Sequence, residues 1–146
     1  MIARRFNWFE IKVSYLKVTE EGLEKTVKET YVVDAKTFGK AEEEIQERLQ
    51  KEEGIIVEQV LAITRAKYDA IDIPTNPGED DKWYKIKVIL LYVDDNEEAK
   101  RVTNYYLVKD ATLAKALDRI DEIMRDSMTD YVSASGSETS IVKVFA

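Results

Sequence analysis

Sliding the sequence against itself by about 75 residues aligns its two halves without a gap across their first three elements. Trp8-Phe9-Glu10-Ile11-Lys12-Val13 falls on Trp83-Tyr84-Lys85-Ile86-Lys87-Val88. At the same offset Tyr31 meets Tyr106, Val33 meets Val108, Ala41 meets Ala116 and Ile45 meets Ile120. Chance similarity drifts out of register, so an offset held through two strands and a helix implies internal duplication. Whatever one half folds into, the other is expected to match.

Within each half the hydrophobic period changes once. Phe9, Ile11, Val13 and Tyr15 alternate with Glu10, Lys12 and Ser14, the period of a half-buried strand. Thr19-Glu20-Glu21-Gly22 then reads as a hairpin loop, and a return strand is expected near residues 25–34. Phe38, Ala41, Ile45 and Leu49 recur at three and four, as an amphipathic helix requires, with Thr37 placed to cap its start and Gly54 to end it. The second helix repeats this, with Thr112 as cap and Leu113, Ala116, Leu117, Ile120, Ile123 and Met124 inward. A third strand closes each half, at residues 55–68 and about 131–145.

The predicted fold class is therefore α+β: a duplicated ββαβ unit forming one antiparallel sheet or two, with both helices on one side. The expected organisation is a single compact domain over 1–146. It comprises two repeats, about 7–70 and 82–146, joined by a polar turn-rich connection containing Pro74, Pro77-Gly78 and Glu79-Asp80-Asp81.

Composition narrows the chemistry. The chain has no Cys and no His, which removes thiolate and imidazole nucleophiles, bases and metal ligands. No cofactor is expected and no metal. The start holds Arg4 and Arg5 but no apolar run of signal-peptide length, and no stretch approaches ~20 apolar residues, so a cytoplasmic protein with no membrane partner is expected. A net charge of −7 and pI of about 4.8 make the protein acidic overall without describing any one face.

Strand alternation sorts candidates by face. With Phe9 and its partners toward the helices, Trp8, Lys12, Trp83, Lys85 and Lys87 fall on the opposite face, and Arg65 and Lys67 are expected to join them. Aromatics among cations on a sheet suit single-stranded nucleic acid. The competing account makes both tryptophans packing residues and the lysines a solvated guard against edge-to-edge association. Ile89, Leu91 and Val93 leave the second outer strip apolar, which fits a homo-oligomer interface. Glu10 and Lys12 form a Glu-x-Lys step like that of some metal-dependent nucleases, but the repeat partner Lys85-Ile86-Lys87 lacks the acid.

Three segments carry a family resemblance: Trp-Phe-Glu-Ile-Lys-Val-Ser-Tyr at 8–15, Tyr-Val-Val-Asp-Ala-Lys-Thr-Phe-Gly-Lys-Ala-Glu at 31–42, and Lys-Trp-Tyr-Lys-Ile-Lys-Val at 82–88. The chain resembles an uncharacterised domain-of-unknown-function family of small proteins from Bacteroides-group bacteria and their phages. That resemblance implies a phage or mobile-element origin and brings no site residues with it. The expected function is a small non-enzymatic binding protein acting on a protein partner. A single-stranded nucleic-acid binder is the alternative, and a metal-dependent nuclease comes third.

Overall fold

The fold is that of a computed structural model, which describes residues 2–3, 7–127 and 129–146. In chain order its elements are β1 (Ile2–Ala3), β2 (Trp8–Val18), β3 (Glu24–Asp34), α1 (Phe38–Glu53), β4 (Gln59–Ala66) and β5 (Ala70–Asp72). There follow β6 (Lys82–Val93), β7 (Ala99–Asp110), α2 (Leu113–Arg125), β8 (Asp130–Glu138) and β9 (Ile141–Phe145). The architecture is α+β, with two mostly antiparallel sheets, each carrying its own helix.

The chain divides into two compact units whose bounds differ from the sequence halves. An amino-terminal unit comprises Phe6–Lys67 with Ser140–Ala146, and a central unit comprises Met1–Arg5 with Tyr68–Thr139. The sheet orders are β4-β2-β3-β9 and β1-β5-β7-β6-β8. Residues 131–145, expected as one strand, are thus two strands in different sheets, parted at Thr139 and Ser140. Neither sheet is purely antiparallel, since β9 runs parallel to β3 and β5 parallel to β7. The connection at 69–82 opens with β5, three buried residues too short to show a period.

Local signals explain the elements that match. The N–H of Lys40 donates to Thr37 Oγ1 at 3.1 Å and that of Lys115 to Thr112 Oγ1 at 3.2 Å, so each threonine satisfies a helix-start donor. Gly54 ends α1 at φ 67°, and Gly22 takes φ 80° in the β2–β3 hairpin, both left-handed positions that favour glycine.

In the amino-terminal unit, Ala41, Ile45 and Leu49 pack on Phe9, Ile11, Val13, Tyr31, Val33 and Phe145. Phe38, expected inside, is half exposed but sets its ring edge against Phe9 at 5.0 Å. In the central unit, Ala116, Ile120 and Met124 pack on Ala70, Tyr84, Ile86, Val88, Tyr106 and Val108. Leu113, Leu117 and Ile123 are partly buried at its margin. Burying a side chain such as Ile45 or Ile120 contributes about 1.5–3 kcal/mol.

Candidate functional site

The tryptophans do face away from the helices, and neither is accessible: Trp8 is 0% exposed and Trp83 3%. A buried indole offers no face for a base to stack on, so the predicted aromatic platform is absent. In the central unit the nearby lysines lie over aromatic rings. Lys109 Nζ lies 5.8 Å over the Trp83 ring, and Lys85 Nζ is held over Tyr105 at 4.9 Å and Tyr68 at 5.6 Å. Lys12 is exposed and Lys87 half-buried, each on its own sheet.

Arg65 lies on the helix side of its sheet and not on the outer face expected for it. Register pairs Phe9 with Arg65 and Ile11 with Ile63, which puts both on the helix side, where Arg65 stands 5.3 Å over the Phe9 ring. A bulge opposite Lys12 and Val13 takes up Leu61 and changes the parity along β4, which no alternation in the sequence announces. Lys67 lies exposed just beyond β4. Ile89 and Leu91 are half-buried and Val93 is 66% exposed, on the Trp83 side of β6. Around Glu10, as elsewhere among the described residues, no group of three or more carboxylates converges.

A concavity lies among residues to which the sequence assigned no role. Within the amino-terminal unit, the far end of β2 and the segment leaving α1 enclose a groove of about 690 Å³. Tyr15, Leu16, Lys17 and Val18 form one wall, and Gly54, Ile55, Ile56 and Glu58 the other. Leu16, Val18 and Ile56 are 51%, 65% and 76% exposed, a cluster of large apolar side chains in water rather than scattered single ones. The groove exists because β4 begins at Gln59, opposite Ser14, leaving residues 15–18 of β2 with a strand neighbour only on the β3 side. Gly54 turns the chain sharply out of α1, with the Ile55 N–H bonded back to the Leu49 carbonyl, and residues 54–58 cross this gap without pairing as a strand.

Tyr15 is the groove's rigid wall. Its hydroxyl donates to Glu29 Oε1 at 2.5 Å, and the Tyr31 hydroxyl donates to Oε2 of the same carboxylate at 2.5 Å. Burial, then the hydrogen bond and charge of Glu29, push the Tyr15 hydroxyl up to about 12 and raise Tyr31 further by the same causes. Both phenols therefore stay protonated donors at neutral pH.

A second, polar cleft of about 350 Å³ lies in the central unit, lined by Asp72, Pro74, Thr75, Asn76, Asp81, Lys109, Asp110 and Arg119. Its chemistry is internally satisfied. Arg119 Nε and Nη2 donate to the buried Asp72 carboxylate at 2.6 and 3.1 Å, and Nη1 donates to Glu122 at 2.9 Å. The guanidinium fork is thus already filled by carboxylates and its ordinarily high pKa is raised further, so this cleft reads as structural.

Fold and groove together define an α+β protein of two sheet-and-helix units with an apolar surface groove on one of them. The chain belongs to the DUF4494 family, a domain of unknown function, whose model matches residues 7–146. No curated protein matches it.

Among the described residues no helix is long and apolar enough to cross a membrane. Sequence reasoning missed the groove, although one signal was present. Leu16, Val18, Ile55 and Ile56 are apolar residues flanking predicted breaks, a place where side chains are ordinarily polar.

Proposed function

We propose that this is a small non-enzymatic binding protein that recognises a protein partner through the groove of its amino-terminal unit. The observation that carries the reading is the exposure of Leu16, Val18 and Ile56 around a concavity floored by a half-paired strand. Exposed apolar surface of this kind is costly in water unless something covers it. The nucleic-acid alternative loses its support with the burial of Trp8 and Trp83. A cytoplasmic setting belongs to the same proposal, as does the phage or mobile-element origin implied by the resemblance to a family of Bacteroides-group bacteria and their phages.

Panning displayed random peptides on the protein, with Leu16→Asp and Ile56→Asp as counter-targets, tests the reading. Clones retained by the parent and lost on both variants are expected. Clones held equally by all three would place binding elsewhere. The non-enzymatic part has its own check: DNA or RNA cleavage with Mg²⁺ or Mn²⁺ that vanishes in Glu10→Ala would overturn it.

A further inference from the structure

We propose that the groove takes its partner as an added β-strand: an extended peptide antiparallel to β2, carrying an apolar–acidic–apolar triplet. This rests on the protein-binding reading above and specifies the occupant.

The main chain supplies the first argument. The Ser14 carbonyl accepts from the Glu58 N–H at 2.9 Å, on the β4 side of β2. Backbone groups point alternately to the two sides of a strand, so the N–H and C=O of Leu16 and Val18 are directed the same way, into the groove. β3 cannot use them, and β4 stops short of them. An incoming extended segment completes the ladder where β4 leaves off, which is recognition by strand addition.

The central unit shows what covers such an edge. Leu91 follows Trp83 at the same distance as Leu16 follows Trp8. There β8 runs antiparallel along β6 as far as Leu91, setting Val132, Tyr131 and Asp130 opposite Ile89, Leu90 and Leu91. The corresponding stretch of β2 has its slot unfilled because residues 54–58 do not pair with it.

Side chains then define the sequence of the added strand. Residues directly opposite on paired strands share a face. Partners of Leu16 and Val18 would lie beside those exposed apolar side chains, while the residue between them would lie beside Lys17. Lys17 is itself paired across the sheet with Lys25, a like-charge pair, and neither is in an ion pair with any described residue. A carboxylate placed opposite Lys17 relieves that repulsion. A second copy of this edge would instead bring its own Lys17 and Lys25 to the two already present, so the occupant is an acid-bearing segment of another protein.

The test takes the clones that depend on Leu16 and Ile56, and a synthetic peptide made from the strongest. Those clones are expected to share the triplet, and the peptide should protect the Leu16 and Val18 amides from hydrogen exchange. Methylating its backbone nitrogens opposite those two residues should abolish binding. Panning on Lys17→Glu/Lys25→Glu should exchange the acidic preference for a basic one.

Clones that need Leu16 and Ile56 but repeat apolar residues at three and four, leaving both amides exchanging as in the free protein, would overturn strand addition while the groove remained a docking site. An acidic preference unchanged in the double variant would overturn the role of the lysines. If no clone distinguished the parent from Leu16→Asp and Ile56→Asp, both the inference and the reading beneath it would fall.

Discussion

The amino-terminal and central units solve one packing problem with different chemistry. Each sheet places a short parallel strand beside its second long strand, β9 beside β3 and β5 beside β7. Phe145 pairs with Val33 and Asp72 with Val108, so the two occupy corresponding places under their helices. Phe145 is buried, stacked on Tyr31 with ring centroids 5.8 Å apart, and Arg48 stands 5.1 Å over it. At Asp72 the same place holds a carboxylate clasped by Arg119. An arginine from the helix covers the strand in both. In one it seals an aromatic ring, and in the other it neutralises a buried charge.

Exchanging the two residues should give the largest effect. Phe145→Asp removes a ring from the core and leaves a carboxylate among Tyr31, Ile45 and Leu49. A loss of at least about 3–5 kcal/mol is expected, enough to unfold the amino-terminal unit at moderate denaturant. Asp72→Phe should cost less, about 1–3 kcal/mol, because Arg119 is a third exposed and keeps Glu122 as partner. Denaturant melts of both variants check this. A larger loss for Asp72→Phe would mean that the ion pair, and not the apolar packing, dominates at this position.

Alkali should separate the units next. Tyr15 and Tyr31 share Glu29 in the amino-terminal unit, whereas the hydroxyl of Tyr106, at the place of Tyr31, is 3.8 Å from Met124 Sδ. A tyrosine ordinarily ionises near pH 10. Where folding raises that value, the protein keeps its full stability below it and loses stability as pH climbs toward the folded value, about 12 for Tyr15. Tyr131, bonded to Asp121 at 2.6 Å, is raised too, but in the central unit its side chain is only half-buried. Stability measured from pH 9 to 12 should therefore fall, and fall less steeply in Glu29→Gln. Equal slopes would show that Glu29 does not hold these phenols.

What the sequence made legible follows the range of the interactions concerned. Helix positions, both threonine caps and the glycine stop of α1 were readable, because each depends on residues within a turn or two of itself. The two-sheet partition was not. The strand read across 131–145 divides at Thr139 and Ser140, and its second part joins β3, more than a hundred residues away in sequence. Arg65 was misplaced by a single bulged residue, Leu61. The groove escaped notice for a related reason: it arises from pairing that stops at Ser14, and the passage of the apolar residues from Tyr15 to Leu16 and Val18 on the other face does not tell whether a neighbour is there.

The smallest effect is also the one that bears most directly on function. Leu16 and Leu91 occupy matching positions on β2 and β6, and only Leu91 has a strand on both sides. Leu91→Asp would set a second carboxylate directly opposite Asp130, on a half-buried side chain, and should cost about 1–2 kcal/mol. Leu16→Asp changes a side chain that is already half in water and faces Thr26 across the ladder, so its cost should stay within about 0.5 kcal/mol. Thermal or denaturant melts of the two variants give the comparison. A residue kept apolar in water without contributing to stability is one whose contribution lies in a complex, and equal, substantial losses at both positions would make Leu16 a packing residue instead.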